Sequence, residues 1–364
     1  MTTMTQRIFN FSSGPAVLPL PVLEQAQRDL IALPAVGMSV MEISHRSEAF
    51  LGILRNACDD IRQLARVGSN YKILMLQGGA SLQFSMAPMN LLTPGLTADY
   101  VDTGAWSMKA IKEARRVGNV NIAATTKTDR YSRIPVGSEL NLTDGSAYTH
   151  ITSNNTIEGT QWVQLPDVGD SPIVADVSSD IFSRPIEVDR YGLLYAGAQK
   201  NLGPSGVTLV IIREDLLARS VDTLPTMLDY RTHVDQNSLF NTPNTFGIYV
   251  LGLTVKWLLS LGGLNAVAEI NARKAAVLYS EIDRTDFWTG AADVASRSEM
   301  NVTFRLATED LEKRFVADST SAGLDGLKGH RSVGGIRAAL YNACPEVAVD
   351  ALVQFMQEFE RKNG

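Results

Sequence analysis

Leu193-Leu194-Tyr195-Ala196-Gly197-Ala198-Gln199-Lys200-Asn201-Leu202-Gly203-Pro204-Ser205-Gly206 is an apolar run that ends on a lysine and enters a glycine-rich turn. A second apolar run, Val207 to Ile212, follows at once. Runs that are apolar on both faces read as strands of a helix-covered sheet. The roughly eight residues between these two are too few for a crossover helix, so the pair is expected to be antiparallel. Working outward, strand, turn and helix recur: Lys72–Leu76 precedes Gln77-Gly78-Gly79-Ala80-Ser81 and a helix toward Leu92. Ala98–Asp102 then precedes Trp106, Ala110, Ala114 and Val117 at helical spacing, with Lys109, Lys112, Arg115 and Arg116 left for solvent. Val120–Ala124, Ala147–Thr152 and Pro172–Val177 are further strand candidates, which gives an α/β chain with one mixed, mostly parallel seven-stranded sheet.

The 364 residues suit two domains at roughly 150 residues each. Phe246–Leu264 is the most apolar window, but Lys256 and four glycines make it a buried helix with a Gly-Gly end. After it the texture changes. Helices are expected over Asn265–Asp283, near Leu311–Ala322 and over Glu346–Lys362, with a strand at Asn301–Leu306, as in a smaller α+β domain. The expected division is a large domain over residues 19–264 and a small one built from 1–18 plus 265–364.

Composition excludes several classes. Lysine and arginine number 33 against 39 acidic residues, a net charge of −6 without long single-sign blocks, so no nucleic-acid partner is expected. Two isolated cysteines, Cys58 and Cys344, make neither a disulfide framework nor a zinc site and fit a cytoplasmic location. Met1–Gln6 carries no secretory pattern, and no membrane association is expected. No Gly-Lys dipeptide, no strand-linked G-x-G-x-x-G, no paired histidines and no G-x-S-x-G occur, which removes support for Walker-type, dinucleotide, metal and serine-hydrolase chemistry.

What remains is a set of groups at strand ends. Lys200 is either a lysine snorkelling from a strand end or an amine whose lowered pKa suits Schiff-base chemistry. Asp176, in Ala175-Asp176-Val177-Ser178-Ser179, either caps a turn or faces a pyridinium nitrogen. The Gly78-Gly79 turn is a tight turn or a phosphate cradle at a helix start. Trp106 is core or a stacking platform. All four fall at carboxyl ends of strands, where open α/β sheets bind ligands, and together they match the supports that pyridoxal 5′-phosphate needs.

These stretches, with Asn10-Phe11-Ser12-Ser13-Gly14-Pro15-Ala16, Ser44-His45-Arg46, Phe240-Asn241-Thr242-Pro243 and Lys328-Gly329-His330-Arg331, resemble the class V aminotransferases, and among them the phosphoserine aminotransferases. The resemblance spans nearly the whole chain and implies fold type I of the pyridoxal-phosphate enzymes. It implies that Lys200 forms the internal aldimine, Asp176 faces the ring nitrogen, Trp106 stacks on the ring and Thr156 meets its hydroxyl side. The phosphate would lie against Ala80, Ser81 and Gln199, closed by Asn241 and Thr242 of a second subunit in a homodimer with shared active sites. Arg337 would grip the α-carboxylate, and His45 and Arg46 of the partner, with His330, Arg331 and Ser13, would meet the distal anion. Without the resemblance, His45-Arg46 would read as a solvated surface pair. Ser81 stands where some family members carry arginine. The implied reaction is transamination between L-glutamate and 3-phosphohydroxypyruvate, in serine synthesis, with a related pyridoxine-pathway substrate also suggested. The rivals are another enzyme on this scaffold, such as a small-substrate aminotransferase or a cysteine desulfurase, and a non-catalytic binder of phosphorylated metabolites.

Overall fold

The computed structural model describes residues 7–364. Met1–Gln6, on which the expectation of no secretory segment rests, lie outside the described residues, as do the first six positions of the 1–18 segment.

Seven strands make the central sheet: β1 (Tyr71–Leu76), β2 (Thr97–Asp102), β3 (Asn119–Thr125), β4 (Thr149–Thr152), β5 (Ile173–Asp176), β6 (Tyr191–Gly197) and β7 (Thr208–Arg213). Their order is β1-β7-β6-β5-β4-β2-β3, with β7 antiparallel to both neighbours and the other pairings parallel. The seven strands and the antiparallel β6–β7 pair are as the sequence predicts, because the Gly- and Pro-rich turn between them holds no crossover helix.

Alternate residues along the strands feed two different cores. Met75, Ile151, Ala175, Leu194 and Leu209 face one side, under the Glu48–Ala65 and Thr245–Ser260 helices, whose Phe50, Leu54, Ile61, Leu251 and Val255 complete that core. Leu76, Tyr100, Val174, Leu193 and Val210 face the other, under the Gly79–Leu91 and Ala105–Ala114 helices. Burial on both faces is what makes these strands read as continuous apolar runs.

A third core forms beyond the sheet from Leu278, Val302, Phe304, Phe315, Leu340 and Leu352, and Phe11 of the amino-terminal segment packs into it with no exposure. Here a small antiparallel sheet of Thr289–Gly290, Asn301–Arg305 and Ile336–Ala339 lies among the Leu264–Ile282, Glu309–Ser321 and Glu346–Asn363 helices. Among the described residues no single helix is long and apolar enough to cross a membrane. The apolar Thr245–Ser260 helix and the next one meet at 87° about the Gly262-Gly263 break. One local expectation differs: the helix of Trp106 ends at Ala114, and Val117 lies exposed in the turn after it. Gly118 follows immediately, and the chain must reverse there to enter β3.

Candidate active site

The carboxyl ends of β1, β2, β4, β5 and β6 open into one cavity of about 210 Å³, lined among others by Gly78, Gly79, Ala80, Ser81, Trp106, Thr152, Asp176, Gln199 and Lys200. Each part arrives by local necessity. The turn after β1 needs positive φ at Gly78 (89°) and Gly79 (64°), and the Gly79–Leu91 helix starts there, so its first free N–H groups face the cavity edge where Ala80 and Ser81 sit. The Ala105–Ala114 helix is fixed at its start by Ser107, whose Oγ accepts from the Thr103 and Gly104 N–H groups at 3.0 Å each. That places Trp106, whose Nε1 donates to Thr156 Oγ1 at 3.0 Å.

Asp176 is the last residue of β5, paired with Thr152 of β4 and Tyr195 of β6. Burial pushes its carboxyl above the ordinary range, opposed by hydrogen bonds from Ser178 Oγ (2.6 Å) and Ser178 N–H (3.0 Å) and by the charge of Lys200. Lys200 stands in the turn after β6, with Nζ 5.1 Å from the Trp106 ring centroid. Burial brings its pKa down from 10.5 to about 8, countered by Asp176 and reinforced by Arg337. No hydrogen bond engages Nζ among the described residues. The Ser13-Gly14 segment passes over it, close enough that a Cβ on Gly14 would sit 3.4 Å from Lys200 Cγ, and Tyr341 OH holds Ser13 O at 2.9 Å.

Arg337 projects from the Ile336–Ala339 strand and donates from Nη1 to Thr156 O at 2.8 Å, which ties it to the partner of Trp106. His330, on the preceding loop, is pushed below its usual range by partial burial and then by the positive charges of Arg337, Arg331 and Lys109. Its Nδ1 lies 2.6 Å from Ser332 Oγ. Arg331 is exposed on the same loop.

His330 and Arg331 line a separate surface pocket with Arg305 and Glu312, and four further expected residues are not gathered by this single chain. His45 and Arg46 lie in the turns before the Glu48–Ala65 helix, and Asn241 spends its amide on Gln77 Oε1 at 2.8 Å, with Thr242 exposed beside it. Three neighbours of the cavity were not singled out from sequence. Thr152 is 2% exposed, and its Oγ1 has no partner among the described residues. Ser178 bears on Asp176, and Glu158 accepts the Ala105 N–H at 2.8 Å. The polar Asn154–Gly159 stretch directly after β4 was the available signal for Glu158. The thiols speak against a desulfurase, because burial pushes both Cys58 and Cys344 up to about 11, far from a thiolate nucleophile.

Residues 8–352 match the family described as aminotransferase class-V. The chain belongs to the class-V aminotransferases. This class-V aminotransferase is 53% identical over 363 residues to the phosphoserine aminotransferase of Desulfosudis oleivorans, covering 99% of the chain and all of the relative. Among solved structures it superimposes on the phosphoserine aminotransferase of Bacillus circulans subsp. alkalophilus with a TM-score of 0.97 at 51% identity, covering 99% of this chain and 100% of that one. It superimposes on the pyridoxal-phosphate-bound phosphoserine aminotransferase of Trichomonas vaginalis with 0.91 at 39%, covering 96% and 100%. The fold is therefore that of the fold type I pyridoxal-phosphate transaminases, and pyridoxal phosphate is the standard cofactor of this enzyme family.

Proposed function

We propose that this enzyme transfers the amino group of L-glutamate to 3-phosphohydroxypyruvate, giving O-phospho-L-serine and 2-oxoglutarate, with pyridoxal 5′-phosphate held on Lys200. One observation carries the reading: a lysine amine near pKa 8, a buried carboxylate and an indole share one cavity, in a chain 53% identical to a phosphoserine aminotransferase along its whole length. The residues present suit the cofactor. Thr152 Oγ1 is an orphaned buried hydroxyl on the cavity wall, and open space lies beyond Gly79, where an added Cβ would meet nothing within 4 Å.

When bound, the cofactor supplies an electron sink for charge developing at the substrate Cα. The chain's own groups divide the remaining work. Asp176 would set a negative charge at the ring-nitrogen end of the bound cofactor, and Trp106, held by Thr156, would supply a flat stacking face. Ala80 and Ser81, with Gln199, offer amides and a hydroxyl to the phosphate. Lys200 Nζ, half deprotonated near pH 8 and with no hydrogen bond among the described residues, would, when not bound to the cofactor, take the proton from the substrate Cα. Arg337 would offer its guanidinium to the α-carboxylate, and His330 and Arg331, with Ser13, would complete the anion-binding pocket.

The reading extends to a homodimer in which His45, Arg46, Asn241 and Thr242 enter the partner's site. Exposed Leu30, Ile31, Met38 and Met41 precede His45-Arg46 in the chain, and exposed Phe240 precedes Asn241, so apolar surface adjoins each group that the single-chain cavity lacks. Residues 19–264 are taken as the cofactor-binding domain and 1–18 with 265–364 as the smaller one, a division supported by Phe11 packing in the carboxyl-terminal core. The two unpaired cysteines support a cytoplasmic setting.

The test is an assay of purified protein for 2-oxoglutarate formed from glutamate and phosphohydroxypyruvate, beside sulfide release from cysteine. It is paired with borohydride reduction and peptide mapping. Glutamate-dependent turnover and a tag on Lys200 are expected. A tag on another lysine, or turnover with cysteine alone, overturns the reading.

A further inference from the structure

Lys109 belongs to the charged side of the Ala105–Ala114 helix, which the sequence leaves for solvent, yet its ammonium lies on the site. Lys109 Nζ is 3.9 Å from the centroid of the Trp106 ring and Lys200 Nζ is 5.1 Å from the same centroid, so the two nitrogens are at most about 9 Å apart. Trp106 lines the cavity with Lys200, and Lys109 is exposed beside it. The helix offers Lys109 a partner in Glu113, four residues on, but Arg116 takes that carboxylate at 3.6 Å, and no carboxylate pairs with Lys109 among the described residues. Cation–π attraction holds the ammonium over the indole, and its charge stays uncompensated. The whole chain carries a net charge of −6, so this cation runs against the prevailing sign just where an anionic substrate would enter. After burial and Arg337, its charge is one of those that hold Lys200 and His330 below their ordinary values.

We propose that Lys109 is a specificity-determining residue, whose ammonium reaches from its seat on Trp106 to the distal phosphate of the substrate. This rests on the reading of the enzyme as one that acts on phosphohydroxypyruvate and O-phosphoserine. The reach fits. With the substrate's amino nitrogen taken at the position of Lys200 Nζ, an extended phosphoserine carries its phosphoryl oxygens roughly 6 Å away, and a charge-assisted hydrogen bond adds about 2.8 Å, which together span the two lysines. A phosphate dianion gains more from the added charge than the side-chain carboxylate of glutamate, so Lys109 favours the phosphorylated partner of the exchange.

The experiment compares wild-type holoenzyme with Lys109→Arg, Lys109→Met and Lys109→Glu by absorbance titration with O-phospho-L-serine, by inhibition with inorganic phosphate, in steady-state kinetics and by titration of pyridoxal phosphate into apoprotein. For Lys109→Met the expected result is a rise of about fivefold or more in the Kd of O-phosphoserine, the KM for phosphohydroxypyruvate and the Ki of phosphate, the scale of one lost charge-assisted contact at a wet site. Lys109→Glu should go further, Lys109→Arg should stay within about threefold of wild type, and added salt should narrow the gap between Lys109→Met and wild type. Both kcat at saturation and cofactor affinity should stay within about twofold in Lys109→Met, because Trp106 keeps its hydrogen bond to Thr156. Values of Kd, KM and Ki that do not follow the charge at position 109, or a loss of cofactor affinity that accounts for the whole defect, overturn the proposal and leave Lys109 as a cover for the indole. A wild-type protein with no turnover of glutamate and phosphohydroxypyruvate instead overturns the functional reading itself.

Discussion

Two lysines, Lys200 and Lys274, are brought by burial to about 8, and only one is suited to be a base. Lys274 Nζ donates to Leu340 O (2.7 Å), Tyr341 O (2.9 Å) and Cys344 O (3.2 Å), so all three of its hydrogens are committed to closing the turn before the last helix. It needs its proton. Lys200 has no such partners, so loss of its proton costs it no hydrogen bond. In the apoprotein, labelling of Lys200 by trinitrobenzenesulfonate should therefore rise through a midpoint near 8, read by peptide mapping, while a midpoint near 10.5 would contradict the burial argument. The same shift bears on stability with a definite sign. Between about 8 and 10.5 the unfolded chain binds the Lys200 proton and the folded one does not, so apoprotein stability gains with rising pH in that window. Lys200→Met should remove that share of the slope. Sequence flagged Lys200 because it ends a strand before glycines; Lys274, inside a helix of mixed polarity, carried no comparable mark.

At the scale of elements, the phosphate turn makes a contrast between adjacent glycines. Both Gly78 and Gly79 have positive φ, but a Cβ at Gly78 would lie 2.6 Å from Leu82 Cβ, whereas one at Gly79 meets nothing within 4 Å. Gly79→Ala should cost only the left-handed backbone penalty, roughly 1 kcal/mol. Gly78→Ala adds a clash inside the first helical turn and should cost roughly 2 kcal/mol or more, with weaker cofactor binding as the turn shifts. Denaturant unfolding of the apoproteins, with cofactor titration, measures both, and equal costs would show that the turn relaxes freely. The elements most legible in the sequence were those with a strong physical signature: doubly buried strands such as β5 and β6, and long amphipathic helices such as Glu346–Asn363. The short pieces were not. Ile336–Ala339 is a four-residue strand interrupted by Arg337, and the Asn154–Asn155 and Thr160–Gln161 hairpin is polar. Such strands are set by pairing with Asn301–Arg305 or by hydrogen bonds from side-chain amides, as from Asn154 Nδ2 to Ser179 Oγ and Asn301 Oδ1, which no local periodicity encodes.

At the scale of the whole molecule, the expected site separates into what one chain gathers and what it leaves outside. Lys200, Asp176, Trp106, Ser81 and Gln199 meet because parallel strands deliver their carboxyl ends to one edge, a consequence of topology that strand order makes readable. Arg337 reaches them from 137 residues beyond Lys200, through the small sheet, and its contact with Thr156 makes the connection. His45, Arg46, Asn241 and Thr242 stay apart from the cavity, and no pattern within a sequence distinguishes a surface residue from one that serves a second copy. The proposed two-fold dimer would resolve the difference by an exchange of surfaces, in which each chain supplies its neighbour. Hybrid dimers test this directly. Lys200→Ala would remove the amine proposed to hold the cofactor, and a combined Asn241→Ala, Thr242→Ala variant would remove the groups proposed to be donated, so each homodimer should be nearly inactive. Where the donated residues act across the interface, a hybrid carries one site with both lesions and one with none. Random pairing makes half of the dimers hybrids with one intact site in two, so co-refolded equal mixtures should recover on the order of a quarter of wild-type kcat per site. If the residues acted within their own chain, every site in the hybrid would carry one lesion, and no activity would return.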